Sequence, residues 1–272
     1  MTQPPTMTDT RVLALHRRRA DPDALFLQKA AADELEDRLA MVNRQFIAPA
    51  VVTPYPGVWQ DRLPGARIIQ DSGTLDLEPN AHDLVIHALG LHWSNDPVGQ
   101  LIQCRRALRP DGLLMAASLG GRTLNELRRC LGEAEIAVSG GLSPRIAPMG
   151  DIRDLGALLQ RAGLAMPVAD SLTLSAEYLD AFHLMRDLRA MGETSALAAR
   201  RRETPARALF ATADRLYGKH FATEGGRIPA SFEIVVLTGW APDAAQPQPL
   251  RPGSATARLA DALDAPEMKL RD

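Results

Sequence analysis

The chain has 272 residues, of which 46% are hydrophobic and 24% are charged, and its formal net charge is −2. This length suffices for one large α/β domain or two small domains, and the charge gives no electrostatic basis for nucleic acid as a partner. No apolar run approaches the roughly 18 residues that a membrane span needs. The only two cysteines, Cys104 and Cys130, lack CxxC spacing, so we expect a reducing compartment and a cytoplasmic protein.

The N-terminal region contains a basic run and one amphipathic pattern. Arginines occupy residues 17–19, which we interpret as the solvated start of a helix rather than as an organelle presequence. Between residues 22 and 46, apolar side chains recur at spacings of three and four, which is typical of a helix with one buried face. Pro22 can take the first helical position after an Asp21 cap. We therefore predict an N-terminal helical segment over residues 1–45.

The segment FIAPAVVTPYPGVW, residues 46–59, limits the first strand of the fold. Four prolines between residues 49 and 64 exclude a long helix. They confine a central strand to about residues 50–53, because proline cannot donate to a β ladder. A second short strand, ARIIQDSG at residues 66–73, ends in polar side chains.

Buried strands and amphipathic helices then alternate to residue 240. Strand-like apolar runs occupy residues 83–93, 113–118, 166–175 and 231–240. Helical patterns begin near Pro97 and cover residues 124–138, 151–163, 180–191 and 204–221, and RPDG at 109–112 predicts a turn. Strands separated by helices in this order predict a doubly wound, mostly parallel sheet of the α/β class.

The C-terminal region differs in composition from the rest of the chain. Residues 241–253 are rich in proline, which predicts a linker, and the apolar spacing at 257–263 predicts a short helix. The predicted α/β domain therefore spans residues 46–240, with a helical insertion at about 176–225. A C-terminal segment over 241–272 follows it.

Several long blocks resemble one superfamily. HDLVIHALGLHWSNDPVGQLIQCRRALRPDGLL, residues 82–114, resembles the central block of class I S-adenosylmethionine-dependent methyltransferases. GGRTLNELR (120–128), GGLSPRIAP (140–148) and GRIPASFEIVVLTGW (226–240) are similar to the family of the mitochondrial complex I assembly factor that hydroxylates an arginine. The biotin-pathway methyltransferase acting on malonyl-acyl-carrier protein is a near relative of that family.

The resemblance implies a fold, a cofactor and a partner. The fold is a methyltransferase-like Rossmann fold, with a seven-stranded sheet whose last strand is antiparallel. The implied cofactor is S-adenosylmethionine, and the implied partner is a complex I subunit or another protein substrate.

The region before residue 83 departs from that pattern. Such methyltransferases have a glycine turn after the first strand, an acid after the second strand and a polar residue after the third. Only the last has a counterpart here, Asp71. Residues 53–67, which separate Val52 from Ile68, are too few for a helix, a strand and a second helix. We therefore expect the fold to lack N-terminal elements, among them the second strand, and much of the cofactor pocket, with a proline-stiffened bypass after the first strand.

The loop after the run at 83–93 supplies most of the remaining site candidates. In an open α/β sheet, the ligand crevice lies at the carboxyl ends of the strands, where this loop begins. The same loop is equally well interpreted as a buried anchor whose tryptophan fills the core. The candidate cofactor contacts are Asp71, Leu91, His92 and Trp93, and the candidate crevice contacts are Asn95 and Asp96.

Two further candidates lie in the second half of the chain. Glu126 follows a glycine pair at a helix start, where an anion can bind, although a solvated helix face is the slightly favoured alternative. Arg145 can hold a substrate carboxylate or brace its loop through an ion pair. No residue is identified as catalytic.

A metal site is not expected. His82, His87 and His92 recur every five residues, but odd spacing in a strand sends alternate members to opposite faces. In MRDLRAMGE, Arg186 and Arg189 share a helix face, which is either a surface for a charged partner or an ordinary solvated face.

Two functions are consistent with these observations. The first is methyl transfer from S-adenosylmethionine, or a related modification that uses the same cofactor. The second is a non-catalytic binding role in complex I assembly, with little cofactor affinity.

Overall fold

The structure is a computed structural model, and it describes residues 6–247. The helices are α1 (Thr10–Arg18), α2 (Phe26–Met41), α3 (Pro97–Ala107), α4 (Asn125–Ser139), α5 (Ile152–Arg161), α6 (Ala181–Ala190) and α7 (Arg207–Phe221). The strands are β1 (Pro49–Thr53), β2 (Arg67–Gln70), β3 (His82–His87), β4 (Leu108–Leu119), β5 (Ala165–Tyr178) and β6 (Ile228–Trp240). Short 3-10 helices occupy Pro22–Ala24, Pro56–Val58 and Leu91–Trp93.

The strands form one sheet in the order β2-β1-β3-β4-β6-β5. The pairs β2–β1, β1–β3 and β3–β4 are parallel. Strand β6 is antiparallel to both of its neighbours, β4 and β5. The prediction of a mostly parallel sheet with an antiparallel last strand is therefore confirmed. The resemblance implies seven strands, and the described residues form six.

The missing strand is explained by the connection between β1 and β2. This connection, residues 54–66, contains a short 3-10 helix and neither a strand nor an α-helix. β2 pairs directly with β1, with Ala50 opposite Arg67 and Val52 opposite Ile69. The predicted bypass is confirmed, and it brings two strands side by side that an intervening strand would otherwise separate.

Helices cover both faces of the sheet, as the continuous apolar strands require. Alternate residues of a strand point to opposite faces. One set, represented by Val51 and Ile86, packs against α2, α4, α6 and α7. The other set, represented by Val52 and Val85, packs against α3 and α5.

Some element boundaries differ from the sequence predictions. The apolar run at 83–93 is a strand only to His87, and Leu89 then adopts a φ of 43° before the 3-10 helix. The predicted turn at 109–112 falls within β4, where the register against β3 shifts and Asp111 has a φ of 58°. Helix α2 ends at Met41, five residues before the predicted end.

Contacts within the chain group residues 1–242 into one compact unit and residues 243–272 into a second. The predicted boundary after residue 45 stays a prediction. The predicted helix at 257–263 lies outside the described residues. None of the helices in the described range is long and apolar enough to cross a membrane.

Candidate functional site

A crevice of about 610 Å³ lies at the carboxyl ends of β1 and β2. Pro54 follows β1 and Gln70 ends β2, and both line the crevice. Residues 94–96, after β3, form another wall, and helix α1 closes the opposite side. This is the position at which open α/β sheets bind their ligands.

Asp71 lies in this crevice with its carboxylate already engaged. The Arg17 guanidinium of α1 contacts it at 2.9 Å, and the two side chains are 13% and 6% exposed. The backbone of Gly90 packs closely against the same carboxylate. A Cβ atom at position 90 would lie 2.4 Å from Asp71 Oδ2, so a larger residue would not fit there. The expectation of a solvated helix start at residues 17–19 is therefore wrong, because these residues lie at the end of α1 and Arg17 lines the crevice.

A buried polar network continues from Asp71. The Gln100 amide donates to the Ser72 carbonyl at 2.8 Å, and its oxygen contacts His87 Nε2 at 2.5 Å. Burial lowers the pKa of His87, although the Asp71 carboxylate opposes this effect. Single-sequence reasoning grouped His87 with two other histidines and missed this network, which depends on the pairing of separate strands.

Tyr55 fills the region just after β1. Its hydroxyl donates to the Met191 carbonyl at 2.7 Å, and its own N–H donates to the Thr53 hydroxyl at 3.1 Å. A Cβ on Gly192 would lie 2.4 Å from the tyrosine oxygen, so this contact requires glycine there. An aromatic side chain therefore connects the end of β1 to the end of α6, in the bypass where the sequence lacks a glycine turn.

Leu91, His92 and Trp93 are all buried in the 3-10 helix after β3. Leu91 belongs to the apolar cluster of α3 and α5. The Trp93 indole donates to Glu193 Oε2 at 2.8 Å, and His92 Nε2 lies 3.3 Å from the same oxygen. These buried contacts anchor the loop after β3, as one of the two interpretations predicts. Trp93 also lines two cavities.

Asn95 and Asp96 have structural partners. The Asn95 side-chain oxygen accepts hydrogen bonds from the N–H groups of Met7 and Thr8, and its amide donates to the Thr8 carbonyl. Asp96 caps α3 by accepting the Gly99 N–H at 2.8 Å. Asn95 therefore fixes the segment before α1 across the mouth of the crevice.

A second cavity, of about 310 Å³, lies on the sheet face covered by α4, α6 and α7. Trp93 lines both this cavity and the crevice. Its polar side chains include Glu193, Ser195 and four arginines. Most of its lining is apolar and includes Leu124, Leu127, Met185, Leu188, Phe210 and Phe232.

Glu193 is a buried carboxylate at the edge of this cavity. Burial opposes its ionisation, but His92, the Trp93 N–H and Arg17 hold its pKa below the ordinary value. Both short contacts go to Oε2, and Oε1 has no hydrogen-bond partner among residues 6–247. The carboxylate is therefore charged at neutral pH and keeps one oxygen available. Glu193 is the last residue of the MRDLRAMGE motif, whose charges predict a partner surface or a solvated face, whereas the structure buries this carboxylate just past the end of α6.

Glu126 and Arg145 form internal contacts. Glu126 accepts hydrogen bonds from the Ser231 hydroxyl at 2.5 Å and from its N–H at 3.3 Å, so the expected solvated helix face is wrong for this residue. Arg145 donates to the buried Glu135 at 2.6 Å and braces its loop. Of the two interpretations of Arg145, the structure contains the ion pair that holds the loop in place.

Glu135 fixes the loop that covers the apolar cavity. Burial alone opposes its ionisation, but Arg145 and the hydroxyl and N–H of Ser143 lower its pKa to about 2. The stabilisation is complete above the ordinary pKa of about 4.5 and is lost as the pH falls through about 2.

Replacing Glu135 by Gln is expected to lower the free energy of unfolding by about 2–3 kcal/mol, because Arg145 loses its partner in a buried site. Urea denaturation and amide hydrogen exchange of the 143–146 loop are the measurements. Glu133→Gln is the matched control, since Glu133 pairs with Arg129 on the exposed face of the same helix. That control is expected to change stability by less than about 0.5 kcal/mol. Equal effects of the two variants would contradict a specific role of Glu135.

Residues 54–116 match the family model described as a methyltransferase domain. The match begins directly after β1 and ends within β4. Arginine-hydroxylase NDUFAF5, mitochondrial, from Danio rerio is 37% identical over 199 residues, which are 73% of this chain and 62% of that protein. The chain therefore carries a match to a methyltransferase domain and is a homologue of this arginine-hydroxylase.

Other relatives give the same assignment. The human arginine-hydroxylase NDUFAF5, mitochondrial, is 36% identical over 72% of this chain and 57% of its own length. A malonyl-[acyl-carrier protein] O-methyltransferase from Laribacter hongkongensis is 35% identical over 67% of this chain and 59% of its own length. The chain thus spans about three fifths of the length of these curated relatives.

Two of the solved structures that are similar to the chain have low sequence identity to it. YcgJ from Bacillus subtilis has a TM-score of 0.48 at 11% identity, covering 78% of this chain and 99% of that one. Haemonchus contortus phosphoethanolamine N-methyltransferase 2, in complex with S-adenosyl-L-methionine, has a TM-score of 0.44 at 10% identity, covering 78% and 53%.

Proposed function

We propose that this protein acts in the assembly of respiratory complex I by binding an arginine side chain of a partner protein, with little or no use of S-adenosylmethionine. Its similarity to the arginine-hydroxylases supports the type of partner. The observation that carries the proposal is the Glu193 carboxylate, which is buried at the edge of an apolar cavity with Oε2 held by Trp93 and His92.

The apolar cavity suits an arginine side chain. Its volume of about 310 Å³ is at the lower end of the range for small-ligand sites. The methylene groups of arginine pack well on leucine, methionine and phenylalanine, and guanidinium is the cation that pairs best with a carboxylate. Oε1 of Glu193 would accept the guanidinium, while Trp93 and His92 hold Oε2.

The crevice next to β1 and β2 does not fit S-adenosylmethionine. Pro54 and Pro56 have no N–H groups to offer the cofactor carboxylate. The chain from 54 to 66 contains no strand that could carry an acid to the ribose hydroxyls. Arg17 neutralises Asp71, so this carboxylate offers no net negative charge to the sulfonium group, and Arg18 adds a positive charge to the crevice wall.

A second function, modification of the partner with S-adenosylmethionine, is favoured by one observation. The methyltransferase-domain match spans the crevice, which still measures about 610 Å³. Calorimetric titration distinguishes the two functions. We expect no heat of binding with S-adenosylmethionine, and micromolar binding would support the second function against the first.

Binding of an arginine peptide tests the first function. A fluorescent peptide with one central arginine is expected to bind, and Glu193→Gln is expected to weaken it by about tenfold or more, since the guanidinium loses its ionic partner. Replacing the peptide arginine by glutamine should cause a similar loss. Glu224→Gln removes the charge of an exposed glutamate elsewhere and should leave binding unchanged. Equal affinity for both peptides would contradict the proposal.

The cellular part of the proposal concerns complex I. An affinity-tagged copy is expected to recover complex I subunits or assembly intermediates, and recovery should fall with the Glu193→Gln variant. Normal complex I in a deletion strain would contradict this role. The arginine-hydroxylase relatives are mitochondrial, whereas for this chain a cytoplasmic location stays our prediction, which cell fractionation can test.

A further inference from the structure

Four arginines line the apolar cavity, and Glu193 is the one carboxylate among its described lining residues. Arg145 is already held by Glu135 at 2.6 Å, which leaves Arg189, Arg200 and Arg201 to consider. Arg189 is exposed near the end of α6, and its guanidinium makes no ion pair with any residue in the described part of the chain. Arg201 pairs with Glu203 at 3.1 Å, but these side chains are 50% and 81% exposed. Arg200 pairs with Asp9 at 3.0 Å in a half-buried position.

The two exposed arginines are available to a partner. An exposed ion pair such as Arg201–Glu203 contributes little to the stability of the fold. Arg201 can therefore leave Glu203 and pair with a carboxylate of a partner at a small cost in free energy. Arg189 has no partner to exchange. Together they place positive charge around the opening of a cavity that has a negative charge inside it.

This basic character is local. The segment 186–207 contains six arginines (186, 189, 200, 201, 202 and 207) and three acidic residues (187, 193 and 203), while the whole chain has a net charge of −2. A locally positive surface on a protein of slightly negative charge increases the affinity and the association rate of an acidic partner.

We propose that these arginines select a partner segment in which acidic side chains flank the arginine that enters the cavity. This inference rests on the proposed function and specifies the protein segment that it needs. Glu193 would hold the inserted guanidinium, and Arg189 and Arg201 would pair with the flanking carboxylates. A nucleic acid would also be attracted to the arginines, but it offers no cation for Glu193.

Three short peptides test the inference on the full chain. They share one central arginine and carry glutamate, glutamine or lysine on both sides. Fluorescence anisotropy is expected to rank them in that order, with about a tenfold preference for glutamate over glutamine at low salt. The preference should shrink between about 50 mM and about 200 mM salt, because exposed charges are screened.

A charge-reversal variant makes the test specific. Arg189→Glu with Arg201→Glu is expected to favour the lysine-flanked peptide, while still requiring the central arginine. Arg161→Glu is the control, since Arg161 is exposed on α5, which packs on the opposite face of the sheet. That control should keep the original ranking.

The outcomes separate this inference from the proposed function. Equal binding of the glutamate and glutamine peptides, with loss of both in Glu193→Gln, would overturn the inference and leave the proposed function standing. Binding of no peptide would overturn both. Displacement of the glutamate peptide by a single-stranded oligonucleotide at similar concentration would also overturn the inference, because the arginines would then be reading phosphate.

Discussion

Trp59→Ala is expected to lower the free energy of unfolding by about 3–5 kcal/mol, the range for truncating a large buried aromatic side chain. Trp59 is only 1% exposed, although it follows a proline-rich stretch between β1 and β2. It belongs to the same apolar cluster as Leu27 and Leu35 of α2. Urea denaturation of the two proteins gives the difference directly.

The alternative is that residues 54–66 form a loose connection. Truncating Trp59 would then change stability by less than about 1 kcal/mol, as at ordinary surface positions. Gln60→Ala is the matched control, because Gln60 is the next residue and is exposed. We expect that control to stay within about 0.5 kcal/mol of the original protein. A small effect of Trp59→Ala would show that the bypass contributes little to the core.

Local patterns predict most of the strands of this protein. Continuous apolar runs predict β3, β4 and β6 because parallel and central strands are buried on both faces. The short distance between Val52 and Ile68 also predicts the missing strand, since chain length limits what can be inserted. These inferences need only neighbouring residues and simple geometry.

The contacts at the site were less accessible from the sequence. Arg17 appears in an arginine run, and nothing nearby indicates that it will meet Asp71 across the sheet. Glu193 acquires its role through Trp93, which is a hundred residues earlier in the chain. Single-sequence patterns report local periodicity, whereas these pairs arise from the tertiary arrangement of distant segments.

Tyr55 illustrates the same limit. Its neighbours Pro54 and Pro56 correctly predict that no long helix forms here, and only the short 3-10 helix Pro56–Val58 is present. They give no indication that the tyrosine hydroxyl reaches the Met191 carbonyl at the end of α6. The sequence shows that the glycine turn is absent after β1, but it does not show that the Tyr55 side chain takes that place.

Breaking the ion pair between Arg17 and Asp71 is the second change with a large expected effect. Arg17→Met keeps the length of the side chain but leaves the Asp71 carboxylate buried without a cation. We expect a loss of about 3–5 kcal/mol in the free energy of unfolding, the range for a buried charge whose partner is removed. Arg18→Met is the control, because Arg18 is the adjacent exposed arginine of the same helix.

The double variant separates pairing from packing. Arg17→Met combined with Asp71→Asn removes both charges, so it should be more stable than Arg17→Met alone. A double-mutant cycle is expected to give a coupling energy of about 1–3 kcal/mol. Additive effects within about 0.5 kcal/mol would contradict a direct interaction between the two side chains.

The same variants test why the crevice does not fit the cofactor. Arg17→Met removes one positive charge and loosens the contact of α1, but it restores neither a glycine turn nor the missing strand. We therefore expect calorimetry with S-adenosylmethionine to detect no binding in this variant either. If Arg17→Met gains micromolar affinity, α1 alone blocks an otherwise competent site, and the N-terminal helix would then be a removable cover rather than a permanent replacement for the cofactor.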